Sequence, residues 1–419
     1  MNVAGGTAVP SDFTLIATPG STPQVEGLEP IEVTGASPEE AEPVEVRPGH
    51  PYTLTEESPP GFSQTELDCY VDGTPREDTT QVTLEPGEAV LCIFVNVDEP
   101  ALLTLRKLVN AGQTGATATP ADWTLTATPQ GIEDQDPVTG NGADGVTAEP
   151  VAAGSYALSE SEVDGFDTGQ WSCVDGDDQP VTVTGSVVSL VNGAEVTCTI
   201  TNTAQQPTLT LTKVVENDNG GTAAAADWTL SADGPTPVSG ATGEEAVTGA
   251  PVAIGSYQLS ESGPDGYTAG DWTCTADGTE LEVTNATVSI ELGQAVECSI
   301  SNDDEPAQLT LAKLVDAGQT GATAEATEWT LTADGPTSVS GATGSEAVTD
   351  AAVDAGQYTL SETGPEGYTA SDWTCEGGEL SGTTLTIAVG DDVTCTVTNT
   401  SEQPTLTLTK VVVNDNGGT

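Results

Sequence analysis

The feature that most constrains this 419-residue chain is that it repeats itself. The segment LTLTKVVENDNGGTAAAADWTL (209–230) returns as LTLRKLVNAGQTGATATPADWTL (103–125) and as LTLAKLVDAGQTGATAEATEWTL (309–331). SYQLSESGPDGYTAGDWTC (256–274) matches QYTLSETGPEGYTASDWTC (357–375) and SYALSESEVDGFDTGQWSC (155–173). VECSISN (296–302) matches VTCTITN (196–202) and VTCTVTN (393–399). A period near 100 residues makes each unit a whole domain rather than a solenoid repeat. The boundaries fall at 1–99, 100–204, 205–304 and 305–402, and 403–419 opens a further repeat, as in a segment of a longer array. Domain 1 diverges most: Phe13 stands where the others have Trp123, Trp228 and Trp329, and Leu67 where they have Trp171, Trp272 and Trp373.

Short Thr/Val/Leu runs alternate with Gly, Pro, Asn and Asp turns, and no window shows a helical period, so each unit reads as all-β. About seven strands per unit, among them TLTLTKVV, EEAVTGAPV and LEVTNATVSI, predict a two-sheet sandwich. Eight cysteines fall two per repeat, at 69 and 92, 173 and 198, 274 and 298, and 375 and 395. No CxxC spacing suggests zinc, so the reading is one disulfide per domain in an oxidising compartment, with buried free thiols as the alternative.

The net charge of −59 argues against nucleic-acid or anionic-membrane partners, because phosphate binding needs clustered cations. One histidine, His50, nearly excludes repeated His-based catalysis or metal ligation. There is no apolar run long enough to span a bilayer, and MNVAGGTAVP lacks the basic and apolar regions of a secretory leader.

The chain's four lysines, Lys107, Lys213, Lys313 and Lys410, all occupy the same repeat position. Residues two apart in a strand share a face. In TLTLTK, Lys213 therefore points with Leu209 and Leu211 into the core. In SYQLSE, Glu261 points with Tyr257 and Leu259; in CSISN, Asn302 points with Cys298 and Ile300. A buried ammonium or carboxylate is costly unless paired or neutralised. One solution is chemical. A desolvated Lys loses its proton and becomes a nucleophile, and a protonated Glu polarises the Asn carboxamide. The product is a Lys–Asn amide plus ammonia. The bland alternative is a buried Lys–Glu salt bridge with Asn as a hydrogen-bond partner.

The run Tyr257-x-Leu259-x-Glu261-x-x-Pro264-x-Gly266-Tyr267 resembles the E-box of CnaB-type domains, also called SpaA-like or prealbumin-like, of Gram-positive surface proteins. It recurs at Tyr358, Leu360, Glu362, Pro365, Gly367, Tyr368 and at Tyr52, Leu54, Glu56, Pro59, Gly61, Phe62. At Tyr156, Leu158, Glu160, Gly165, Phe166 the proline is replaced by Val163. The resemblance implies a tandem array of reverse immunoglobulin-like β-sandwiches. It also implies isopeptide bonds Lys107–Asn202, Lys213–Asn302 and Lys313–Asn399, assisted by Glu160, Glu261 and Glu362. Glu56 and Asn96 of domain 1 have no such lysine in this chain, and Lys410 has no asparagine after it. The cysteine pairs, Cys69–Cys92, Cys173–Cys198, Cys274–Cys298 and Cys375–Cys395, look like a variant of actinobacterial surface proteins.

The function expected from this is a structural stalk segment, extracellular and on the cell surface or wall, attached through regions outside this chain. No cofactor, metal or turnover activity is expected, and the tip ligand or host or glycan receptor is undefined. The alternative is an adhesin module binding glycan or host protein through loops of domain 1, which diverges most and carries His50, Arg47 and Arg76. Calcium at the acidic turns 217–221 and 174–179, an ice- or glycan-binding threonine face and an external-substrate hydrolase are weaker readings. A polymerising pilin is disfavoured, because every domain lysine is assigned to a core and no LPxTG-like motif is present.

Overall fold

The computed structural model describes residues 4–22, 26–76, 80–413 and 415. The chain divides into two compact units, 1–205 and 206–419, each holding two domains. Among the described residues all regular structure is strand, apart from six three-residue 3₁₀ turns. No helix among the described residues is long and apolar enough to cross a membrane.

Domain 3 shows the plan. One sheet runs in the order Ala250–Pro251, Thr208–Glu216, Ala295–Asp304, Thr273–Ala276, Thr279–Leu281, with Tyr267–Ala269 also on the last strand. The other runs Val238–Gly240, Thr229–Asp233, Gly255–Ser262, Thr287–Ile290. The first strand, Thr208–Glu216, and the last, Ala295–Asp304, lie side by side and parallel, with Leu209 opposite Val296 and Lys213 opposite Ile300. Every other pairing in the domain is antiparallel. The Thr-Leu alternation explains the facing: Leu209 and Leu211 are buried while the intervening threonines are half-buried on the outer face.

The core between the sheets holds Leu209, Leu211, Trp228, Leu230, Tyr257, Leu259, Val288, Ile290, Val296 and Ile300. Each such side chain stabilises the sandwich by roughly 1.5–3 kcal/mol relative to exposure. Trp228, placed between the sheets by the turn Ala225–Asp227, packs edge-on to Tyr267 with ring centroids 5.1 Å apart. Domains 2 and 4 repeat the plan, with first strands Ala101–Asn110 and Ala307–Asp316 parallel to last strands Glu195–Ala204 and Asp392–Ser401.

Two details depart from the sequence reading. The complete domains carry more than seven strands, because two- and three-residue pairings extend the sheets; domain 3 has ten. EEAVTGAPV is not one strand but the turn Glu245–Val247 followed by the bridge Ala250–Pro251. Gly249, at φ +58°, breaks the extended run between them.

In domain 1 the sheets are Ile31–Thr34, Thr14–Pro19, Pro51–Glu57, Gln81–Thr83 and Thr74–Pro75, Phe62–Val71, Val90–Asp98. Among the described residues no strand stands beside Val90–Asp98 where domains 2 to 4 place their first strand. Its fully buried apolar core is correspondingly small: Tyr52, Cys69 and Val82.

Candidate functional site

Three strands deliver the polar residues of each complete domain. Lys213 continues the buried face of the first strand, and Asn302 that of the last, two positions beyond the residue paired with Lys213. Glu261 comes from the opposite sheet, on Gly255–Ser262, where it pairs with Leu230. Lys213, Asn302, Lys313, Asn399, Lys107 and Asn202 are all buried.

Lys213 Nζ donates to Glu261 Oε2 at 2.6 Å, and the Lys213 side chain is 0% exposed against 12% for Glu261. Lys107 and Lys313 donate in the same way to Glu160 and Glu362. Each ammonium also lies over a tryptophan ring, 4.7 Å from the Trp123 centroid, 4.9 Å from Trp228 and 5.1 Å from Trp329. The tryptophan offers a π face to a cation and at the same time excludes water from it. Parity identifies the Lys, Glu and Asn positions. The tryptophan's place over the lysine is not legible from the strand pattern, because Trp228 follows a 3₁₀ turn rather than lying within a strand.

Burial pushes the three lysine amines below their usual value, and the hydrogen bond and charge of the paired glutamate oppose that push without cancelling it. Such an amine is easier to deprotonate than a solvated lysine, which is the condition for nucleophilic attack.

The carboxamides complete the arrangement. In domain 2, Asn202 Nδ2 donates to Glu160 Oε1 at 2.8 Å while Lys107 holds Oε2, so one carboxyl group bridges amine and carboxamide. Asn202 Oδ1 accepts the Gly169 amide at 3.3 Å. In domains 3 and 4, Asn302 Oδ1 and Asn399 Oδ1 are buried with no hydrogen-bond partner among the described residues. A buried carbonyl left this way costs about 1–3 kcal/mol and is a ready acceptor for a protonated carboxyl. In domain 1, Asn96 Nδ2 donates to Glu56 Oε2 at 3.0 Å. Phe13, in place of the tryptophan, packs edge-on to Phe62.

The sequence profile of the SpaA-type prealbumin-like fold domain matches residues 1–94, 98–200, 204–300 and 304–397. The chain belongs to this family. No curated protein sequence matches it. Three solved structures are similar to these prealbumin-like domains, two of them a pilin and a pilus adhesin by title. They are the Bacillus anthracis TIE protein (13% identity, 93% of this chain and 68% of that one, TM-score 0.42), the major pilin T-13 of Streptococcus pyogenes (14%, 50% and 98%, 0.27) and the pilus adhesin SpaC of Lactobacillus rhamnosus GG (12%, 93% and 57%, 0.24).

Each prealbumin-like domain carries one disulfide: Cys69–Cys92, Cys173–Cys198, Cys274–Cys298 and Cys375–Cys395. The bonded residues are direct cross-strand partners, as for Cys274 opposite Cys298. The disulfide thus ties the last strand on the side away from the first strand.

The remaining sequence candidates fall elsewhere. His50 is buried and its Nε2 lies 2.9 Å from the Gly20 carbonyl oxygen, so it is not a loop contact residue. Arg76 faces Glu88 at 3.8 Å. The 174–179 turn uses the Asp175 carboxylate to accept its own amides, from Asp177 and Gln179. The 217–221 turn brings Asp218 beside Asp303 and Asp304, but the Asp304 carboxylate already accepts backbone amides. Lys410 lies in the exposed segment 402–413, which has no regular structure.

Proposed function

We propose that domains 2, 3 and 4 each form one intramolecular amide, Lys107–Asn202, Lys213–Asn302 and Lys313–Asn399, and that the array is an extracellular structural stalk. The observation that carries this is the water-excluded lysine held by a glutamate on one sheet, beside an asparagine on the adjacent parallel strand of the other. The lysine passes a proton to the glutamate and its neutral amine attacks the asparagine Cγ. The glutamic acid hydrogen-bonds the carboxamide, gives its proton to the departing nitrogen and takes the second proton from the attacking nitrogen, so it ends protonated. One C–N bond forms, one breaks, and ammonia leaves. Fixed proximity supplies most of the acceleration. The reaction occurs once per domain, so it is maturation rather than turnover.

The consequence is mechanical. The N-terminal end of each domain enters on the first strand and the C-terminal end leaves on the last. Tension along the chain would pass through the crosslink and bypass everything between, in domain 3 residues 214–301. The disulfide lies inside the bypassed region and protects the resting fold rather than the load path. The charge of −59 keeps neighbouring stalks apart. Disulfides support an oxidising, extracellular setting. The deciding experiment is the intact mass of the reduced chain, in which each amide shows as the loss of one ammonia, about 17 Da.

A second reading, a binding module in domain 1, is favoured by one observation. A cleft of about 390 Å³ there is lined by Phe13, Phe62, Phe94, Glu56 and Asn96. Saturable binding of a glycan or protein ligand, lost on Phe94→Ala, would support it.

A further inference from the structure

The loop after the first strand comes in two forms, and they alternate. Domain 3 has Asn217-Asp218-Asn219-Gly220-Gly221, and domain 1 has Ala4-Gly5-Gly6 in the corresponding place. Domains 2 and 4 have NAGQT (110–114) and DAGQT (316–320). The last strand alternates in step. It ends on Asp98 and Asp304 in domains 1 and 3, but on Ala204 and Ser401 in domains 2 and 4.

Asp304 is 2% exposed, and its carboxylate accepts the amides of Asp218 at 2.9 Å, Asn219 at 3.0 Å and Gly221 at 2.6 Å. The loop so held presents the Asn219 carbonyl outward, where it accepts the Ala355 amide of domain 4 at 2.8 Å. The approach is close: a methyl group on Gly220, at φ +89°, would lie 2.4 Å from the Ala355 carbonyl oxygen. A second contact runs through the linker, from Gly390 N to Glu305 O and from Glu305 N to Gly266 O, each 2.9 Å.

The joint between domains 1 and 2 is built from the same bonds. Asp98 accepts Ala4 N at 2.7 Å and Gly6 N at 2.8 Å, and Ala4 O accepts Ala153 N at 2.7 Å. A methyl on Gly5 would lie 2.6 Å from Ala153 O. Gly193 N donates to Glu99 O and Glu99 N to Gly61 O. Domain 1 is the most divergent repeat, yet its joint matches that of domain 3. The corresponding loops of domains 2 and 4 close on themselves instead: Thr114 and Thr320 donate to Ala111 O and Ala317 O, and Ser401 also donates to Ala317 O. The receiving residue differs too, being Ala153 and Ala355 in domains 2 and 4 but Ile254 in domain 3.

We propose that the aspartate-held loop is a docking surface for the Ala-Gly edge of the following domain, so that the working unit of this chain is a domain pair. Asp98 and Asp304 act as positioning residues: they order the loop, and the loop's carbonyl and glycine meet the next domain. This is independent of crosslinking and stands whether or not the amides form.

The test uses nitroxide labels at Ser260→Cys and Thr359→Cys, on exposed faces of domains 3 and 4, in the full chain. Electron–electron distance measurement should give one narrow distribution. Asp304→Ala and, separately, Gly220→Ala should each broaden it about twofold, toward the relative motion ordinary between linked domains. The atoms nearest the Gly220→Ala methyl belong to Ala355 of domain 4, and the variant leaves Asp304 in place, so it keeps the test valid if Asp304→Ala unfolds domain 3. A broad distribution in the parent chain overturns the proposal. So does an unchanged distribution in Asp304→Ala whose 218, 219 and 221 amides exchange faster, because the aspartate then serves only its own loop. Intact mass on the same samples reports crosslinking separately.

Discussion

Lys213 and Asn302 lie on adjacent parallel strands, with Lys213 opposite Ile300 and Asn302 opposite Val215. Both side chains face the same core, and Glu261 reaches Lys213 from the opposing sheet. A first and a last strand that are neighbours let a short bond close the whole domain, which antiparallel neighbours joined by a hairpin would not.

The reduced chain should weigh less than its sequence mass. Each Lys–Asn amide removes ammonia, about 17 Da, so three give a deficit of about 51 Da. Four disulfides remove a further roughly 8 Da before reduction. Domain 1, with Glu56 and Asn96 but no partner lysine in its core, should contribute nothing. A full sequence mass after reduction would rule out the amides and leave buried ion pairs.

Glu261→Gln should abolish the amide of domain 3 alone, restoring about 17 Da and leaving tryptic peptides that contain Lys213 and Asn302 unlinked. It replaces the proton carrier with an isostere. Glu261→Ala should do the same and also destabilise domain 3 by about 3–5 kcal/mol, because the buried Lys213 loses its ionic partner. Persistence of the linked peptide in either variant would remove Glu261 from the mechanism.

Stability should depend on alkaline pH only where the lysine is free. In an Asn302→Ala chain, Lys213 in the folded state sits below its usual value of 10.5. Between that depressed value and 10.5 the unfolded chain binds more protons than the folded one. Stability of domain 3 therefore rises as pH is raised through this interval. An amide nitrogen does not titrate, so the parent chain should show no such slope. Nor should the Lys213→Met, Asn302→Ala chain. Urea unfolding followed by the ¹⁹F signal of fluorinated Trp228 reads the difference.

Cys274→Ala with Cys298→Ala should cost domain 3 about 2–4 kcal/mol in the Asn302→Ala background. With the amide present the cost should shrink, since the unfolded chain is already closed on itself. Equal costs in the two backgrounds, measured by the same urea titration, would mean that no such closure exists.

Single-molecule pulling from the two ends should extend domain 1 and leave domains 2 to 4 without an unfolding step. In Asn302→Ala, one further step should appear, shortened under oxidising conditions by the segment that Cys274–Cys298 encloses. Four steps in the parent chain would contradict the load path through the crosslinks.

The alternation Thr-Leu-Thr-Leu-Thr-Lys was enough to place Lys213 inside, because a strand's two-residue period leaves only two faces and the leucines claim one. The same reasoning placed Glu261 behind Tyr257 and Leu259, and Asn302 behind Cys298 and Ile300. It failed for EEAVTGAPV, where a positive φ at Gly249 interrupts the strand. It also could not foresee that His50 packs inside, since a loop residue has no period to read.

Repeat length, all-β character, the inward parity of the three polar residues and the pairing of cysteines within each unit were set by the sequence alone, since each is a local pattern or a spacing. Three relationships were decided only by the tertiary structure: the parallel adjacency of the first and last strands, the tryptophan over each lysine, and the aspartate-held joint that pairs domain 1 with 2 and domain 3 with 4. The strand adjacency and the joints bring together residues about 80–150 positions apart, and each tryptophan reaches its lysine across a loop and a 3₁₀ turn, so these contacts leave no periodic trace along the chain.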